Sequence, residues 1–198
     1  MSRLVVFGCS NTEGQGLANK AEERWSTHLG KFLNREVVNK GVQGGSNKLI
    51  AHSIAKFKFD PQDLVIIQWT YIDRTTVLDS KTEYTHLLPA KINVKNSTAR
   101  SYYKDFHTRY DSKFTNSVFM DFTIDLLLEQ NIEFKQLKVS PQDELNNRHR
   151  KVNRLPFYHS EISATFPKAL DGLHMGAQGN LMLAKRIHKN KMGPEYII

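Results

Sequence analysis

Two unbroken apolar runs, Leu4-Val5-Val6-Phe7 and Leu64-Val65-Ile66-Ile67, constrain this chain most. A strand that shows neither face to water must lie inside a sheet covered on both sides, and such strands are typical of parallel sheets between helical layers. The segments between and after the runs carry the helical period instead. Leu17, Ala21, Trp25, His28, Leu29 and Phe32 recur at helical steps over 17–34, and Leu49, Ile50, Ile54 and Phe57 do so beyond the loop 40–47. Glu36–Asn39 reads as a short second strand. Ile132–Val139 alternates with period two and is closed by Ser140-Pro141. Phe114, Val118, Phe119, Phe122, Leu126 and Leu127 predict the apolar face of a helix over 112–130. Leu181, Ala184 and Ile187 predict the inward face of a last helix from Ala177 to Asn190, stopped by Gly193-Pro194. Strand and helix alternate along the chain, which is the α/β class with a parallel central sheet.

A length of 198 residues fits one domain spanning 1–198. Its 39% hydrophobic and 24% charged residues suit a globular protein, not a disordered one. Two long segments, at about 75–111 and 142–170, have no clean period and are expected to be long loops. Both follow strands, on the side where α/β sheets put their ligand sites. No apolar run approaches the roughly 20 residues of a membrane span, so no membrane partner is expected. The first apolar stretch is too short for a signal-peptide core, and a cytoplasmic or virion-associated protein is expected.

Cys9 is the single cysteine, which rules out an intramolecular disulfide and a cysteine-based zinc site. The other histidines show no metal-ligand spacing, and no metal is expected. Gly14-Gln15-Gly16 begins like a dinucleotide fingerprint, but the third glycine position is Asn19 and no P-loop follows, so no cofactor is implied. The net charge of +8 favours anionic partners. It is densest at 148–154 and 185–191, without an accompanying nucleic-acid motif. An acidic polysaccharide is therefore a better-suited partner than nucleic acid.

Three short motifs carry the chemistry. Phe7-Gly8-Cys9-Ser10-Asn11-Thr12 runs a buried strand into a serine on a turn, where its side chain and N–H face the carboxyl edge of the sheet. Asp171-Gly172-Leu173-His174 sets an acid three residues before a histidine. A carboxylate on one ring nitrogen leaves the other free to take a proton from a hydroxyl. Asn39-Lys40-Gly41-Val42-Gln43-Gly44 ends a strand in a glycine loop whose last N–H is unscreened by a side chain. Each motif has a plainer alternative: a serine cap, an acid at a helix start, and a loop that needs positive φ.

Together these elements resemble the SGNH (GDSL-like) hydrolase family, in order and over most of the chain. The resemblance implies a flavodoxin-like three-layer α/β/α sandwich and ester hydrolysis through an acyl-serine. Ser10 would be the nucleophile, His174 the base and Asp171 its orienting acid. The N–H groups of Ser10 and Gly44 would hold the oxyanion. The sequence departs from the family in two places. Cys9 stands where the family has aspartate. Aligned on Asp73, the family's oxyanion asparagine becomes Ile72, which cannot donate a hydrogen bond. Thr70 or Arg74 is expected to replace it, with Thr70 as the third oxyanion donor. Asn11, Arg74 and Tyr103 are the expected substrate contacts, Tyr103 from an aromatic segment 102–110 suited to stacking on sugars. The substrate class implied is a small acyl ester, such as an O-acetyl group on a carbohydrate. A second reading, motivated by Ile72, is a catalytically silent module of the same fold that binds glycan or serves as a structural part of an assembly such as a virus particle. A third, motivated by charge, is an anion- or nucleic-acid-binding protein.

Overall fold

The computed structural model describes residues 2–79, 83–93, 97–141, 148–149 and 151–191. Five strands, β1 (Arg3–Gly8), β2 (Glu36–Gly41), β3 (Leu64–Trp69), β6 (Glu133–Lys138) and β7 (Arg154–Tyr158), form one sheet in the order β2-β1-β3-β6-β7. Every neighbouring pair in it is parallel. A separate antiparallel hairpin joins β4 (Thr75–Asp79) to β5 (Glu83–Leu87).

The period of two in β1 and β3 divides the core into two halves. Leu4, Val6, Leu64 and Ile66 point to one face, against Trp25 and Leu29 of α3 (Trp25–Leu33) and Leu183, Ala184 and Ile187 of α8 (Ala177–Lys191). Val5, Phe7, Val65 and Ile67 point to the other, against Ile50 and Ile54 of α4 (Asn47–Ala55) and Met120, Ile124 and Leu127 of α6 (Arg109–Glu129). Each such side chain buried from water contributes about 1.5–3 kcal/mol, which is why the central strands need helices on both faces. This is the three-layer α/β/α sandwich expected from the alternation. Buried polar contacts also tie neighbouring strands together. Trp69 Nε1 donates to Gln136 Oε1 at 2.8 Å, and Gln136 Nε2 donates to Val152 O at 2.7 Å, drawing the segment before β7 onto β6.

The structure corrects four sequence expectations. The helix expected over 17–34 breaks at Arg24, whose φ of −68° and ψ of 147° are extended, leaving α2 (Lys20–Glu23) and α3. The segment 75–111 holds the hairpin and α5 (Thr98–Asp105), and 142–170 holds β7 and α7 (His159–Ser163). These short elements had too few residues to display a period. The apolar face expected for α6 holds only at its end, where Leu127 is buried and Leu126 packs on the core. Phe114, Val118 and Phe122 are 63%, 49% and 50% exposed, while Ser112, Asn116, Met120, Thr123, Ile124 and Leu127 face inward. The first half of α6 packs on polar loop backbone rather than on the sheet. Asn116 Nδ2 donates to Ile72 O at 3.0 Å and its Oδ1 accepts from Asn47 Nδ2 at 2.7 Å. A buried polar face that is fully hydrogen-bonded leaves no hydrophobic signature. The Gly193-Pro194 stop lies outside the described residues.

Candidate active site

Ser10 opens α1 (Ser10–Glu13), a single turn directly after β1, and Cys9 is its buried N-cap. Cys9 O accepts from the N–H groups of Thr12 and Glu13, each at 3.0 Å. The turn therefore uses the cysteine backbone, and its thiol is packed away. Ser10 is itself buried, with its hydroxyl at the carboxyl edge of the sheet.

The segment 167–176 folds back on itself, with Lys168 bridged to Met175 and Ala169 N–H donating to His174 O at 2.9 Å. Asp171 and His174 lie at its tip. Asp171 Oδ1 accepts from the N–H groups of Leu173 and His174, both at 3.0 Å, and Oδ2 lies 2.6 Å from His174 Nδ1. The backbone N–H bonds from His174 and Leu173, with the His174 ring bond, hold the Asp171 carboxyl down at about 2. An ionised carboxylate only accepts, so Nδ1 carries the ring proton and Nε2 presents its lone pair. Nε2 lies 2.9 Å from Ser10 Oγ, so the serine hydroxyl donates to it. The three residues, 164 positions apart at their extremes, thus stand in one hydrogen-bonded line.

Gly44 adopts φ +72°, open to glycine at little cost, and packs against the His86 ring. Neither its N–H nor that of Ser10 has an acceptor among the described residues. Beside the serine lies a crevice of about 270 Å³, lined by Asn11, Tyr71, Arg74, His159, Lys168 and His174 among others. Among the described residues, no group of His, Cys, Asp and Glu is arranged to hold a metal.

The loop after β3 departs from expectation. Ile72 is 2% exposed and lies in the core with Ile67 and Met120, not at the crevice. Asp73, used as its anchor, turns away to pair with His107 and Arg109. Tyr71 and Arg74 reach the crevice instead, with the Arg74 guanidinium 4.9 Å from the Tyr71 ring centre. Thr70 is buried and does not line the crevice. Its backbone is fixed from both sides by Asn47, and its Oγ1 accepts from Arg74 Nη1 at 3.2 Å. Thr70 therefore holds Arg74. Tyr103 does not reach the crevice either. Its hydroxyl lies between Asp73 O at 2.5 Å and Leu87 O at 2.7 Å, tying α5 to the hairpin.

Sequence reasoning missed three residues here. Asn47, one position past the Ser46 cap, looks like an ordinary helix start, yet it locks the loop after β3. Tyr71 would have emerged had the loop been aligned on the end of β3 instead of on Asp73. His159 is buried and lines the crevice, and its Nε2 has no partner among the described residues. Burial, then the nearby Lys168 and His174 charges, push its pKa down to about 4. Nothing in the sequence signals its burial.

No family model matches the sequence, and no curated protein does. Solved structures do. A lipolytic protein of the G-D-S-L family from Desulfitobacterium hafniense superposes with a TM-score of 0.60 at 13% identity, covering 94% of this chain and 98% of its own. A member of the same family from Veillonella parvula gives 0.54 at 12% identity, covering 96% and 97%. An acetyl xylan esterase from Butyrivibrio proteoclasticus gives 0.54 at 14% identity, covering 96% of this chain and 64% of the longer enzyme. With its five-stranded parallel sheet between two helical layers, the chain has the SGNH hydrolase-like fold.

Proposed function

We propose that this protein is a serine ester hydrolase acting through an acyl-Ser10 intermediate. The observation that carries the proposal is the line from Asp171 through His174 to Ser10, at 2.6 and 2.9 Å. Those separations lie within the reach needed for a general base to take the nucleophile's proton. Ser10 Oγ attacks the ester carbonyl while His174 Nε2 takes its proton. The imidazolium then protonates the leaving alkoxide, and water repeats the sequence to release the acid. Asp171 holds the ring tautomer and steadies the imidazolium charge.

The tetrahedral oxyanion is held by the N–H groups of Ser10 and Gly44. We assign the third donor to Arg74, which lines the crevice with Ser10 and retains guanidinium donors beyond the one given to Thr70. The substrate reading is a small acyl group, such as acetyl, on a polyhydroxylated alcohol. The short crevice supports it, with Asn11, Ser160, Ser163 and Lys168 on its walls rather than a long apolar channel. The acetyl xylan esterase among the structural neighbours supports the same class.

Intact-mass spectrometry after fluorophosphonate treatment tests the mechanism. One adduct on the native chain and none on Ser10→Ala is the expected result, followed by release of acetate from acetylated sugars. A well-folded native chain that takes no adduct would overturn it in favour of a silent binding or structural module.

A further inference from the structure

A second and larger concavity, about 780 Å³, opens between the end of β2, one face of α4 and the β4–β5 hairpin. Its lining includes Lys40, His52, Ser53, Lys56, Phe57 and Tyr84, and no aspartate or glutamate among the described residues. Lys40 and Lys56 are exposed. Lys40 Nζ sits 5.7 Å from the Phe57 ring centre, so one wall combines a cation with an aromatic face. Tyr84 is braced by His86 at a ring distance of 4.9 Å. The side chains of His52 and Ser53 have no hydrogen-bond partner among the described residues. Burial, and then the Lys56 and Lys48 charges, hold the His52 ring below its ordinary pKa.

The groove shares no lining residue with the serine crevice, but the two are linked through the backbone. Val42 lines the groove and donates its N–H to Gly8 O at 3.0 Å, two residues before Ser10. Val42 also precedes Gly44 by two residues, a span of about 7 Å at most. A ligand seated here therefore abuts the loop that carries the Gly44 N–H.

We propose that this groove binds an acidic oligosaccharide. Its carboxylates would pair with Lys40 and Lys56, its hydroxyls would meet Ser53 and His52, and a sugar face would lie on Tyr84. Identifying that ligand as the chain bearing the hydrolysed ester rests on the esterase reading. That connection favours a glycan over a nucleic acid, since nucleic acids carry no carboxylic ester for a neighbouring acyl-transfer site.

The test is calorimetric titration of Ser10→Ala, which cannot turn over an ester, with a short oligogalacturonate, a neutral xylo-oligosaccharide and a single-stranded oligonucleotide. Oligogalacturonate is expected to bind best, to weaken as salt rises, and to lose about tenfold per lysine when Lys40→Gln and Lys56→Gln are added. The same lysine changes in the native chain should leave hydrolysis of a small neutral ester unchanged. Equal binding of the neutral sugar, tighter binding of the oligonucleotide, indifference to the lysine changes, or no binding at all would each overturn the proposal. Lysine-dependent oligogalacturonate binding by a protein that takes no fluorophosphonate adduct would leave the groove assignment standing and remove only the esterase reading.

Discussion

Asp171 occupies the space that a side chain at Gly16 would need. A β-carbon built on Gly16 falls 2.6 Å from Asp171 Cγ, and Gly16 O accepts from Leu170 N–H at 3.1 Å. Gly16 itself sits at φ +83°. A glycine that sequence reading set aside as an incomplete dinucleotide fingerprint is thus the seat of the acid that orients His174. Gly16→Ala should shift the Asp171 tip and misplace His174. Misplacement by about 1 Å can cost on the order of 100-fold in rate. The expected outcome is a kcat on a small ester lowered by about that factor, with circular dichroism showing a folded chain. Native-like kcat would mean that Asp171 does not depend on this seat.

Asp171→Asn keeps the shape and removes the charge. The amide can donate to Nδ1 and trap the wrong ring tautomer, a change that costs about 10⁴-fold in serine proteases. A loss of that order is expected here. The same variant tests a stability effect. The Asp171 carboxyl titrates at about 2 in the fold and about 3.9 when unfolded, so its contribution is complete above pH 4 and is lost as pH falls through about 2. Thermal unfolding midpoints measured from pH 5 to 2 should therefore fall less steeply in Asp171→Asn than in the native chain.

The sheet and the Asp171–His174 hydrogen-bonded pair were legible because both rest on local signals. Leu4–Phe7 and Leu64–Ile67 are apolar on both faces, and Asp171 and His174 are three residues apart. The choice between Thr70 and Arg74 was not, because it depends on the path of a loop. The chain from Trp69 to Arg74 leaves the sheet with Thr70 tied at both backbone groups to Asn47, which lies 23 residues away. That tie buries Thr70 and sends Tyr71 and Arg74 into the crevice. The face of α6 failed over most of its length for a related reason. Asn116 joins the same network, so hydrogen bonding sets the orientation of the first half of that helix, and apolar burial of Met120, Ile124 and Leu127 that of the second.

If Arg74 is the third oxyanion donor, Arg74→Ala should lower kcat by about 100- to 1000-fold. KM should change much less, because the lost bond strengthens in the transition state. Thr70→Val removes the hydroxyl that receives Arg74 Nη1 and keeps the guanidinium. Its effect should be smaller, about tenfold, the scale of one mislaid hydrogen bond. Steady-state kinetics on one activated ester, run on both variants, measure the contrast. The reverse ranking would return the donor role to Thr70.

His159 gives a stability signature independent of turnover. Its ring is buried and neutral, titrating near 4 in the fold against about 6.5 in the unfolded chain. Between those values the unfolded state binds the extra proton, so stability rises with pH across that window and falls on acidification toward pH 4. The full effect is up to about 3 kcal/mol. His159→Leu fills similar space without a titrating group. Across pH 4–6.5 its urea midpoint should vary less than that of the native chain, and near pH 4 the variant should be the more stable of the two. Parallel pH profiles for the two proteins would show that the ring accepts its proton without unfolding and is more open to water than its position beside Ser160 and Lys168 implies.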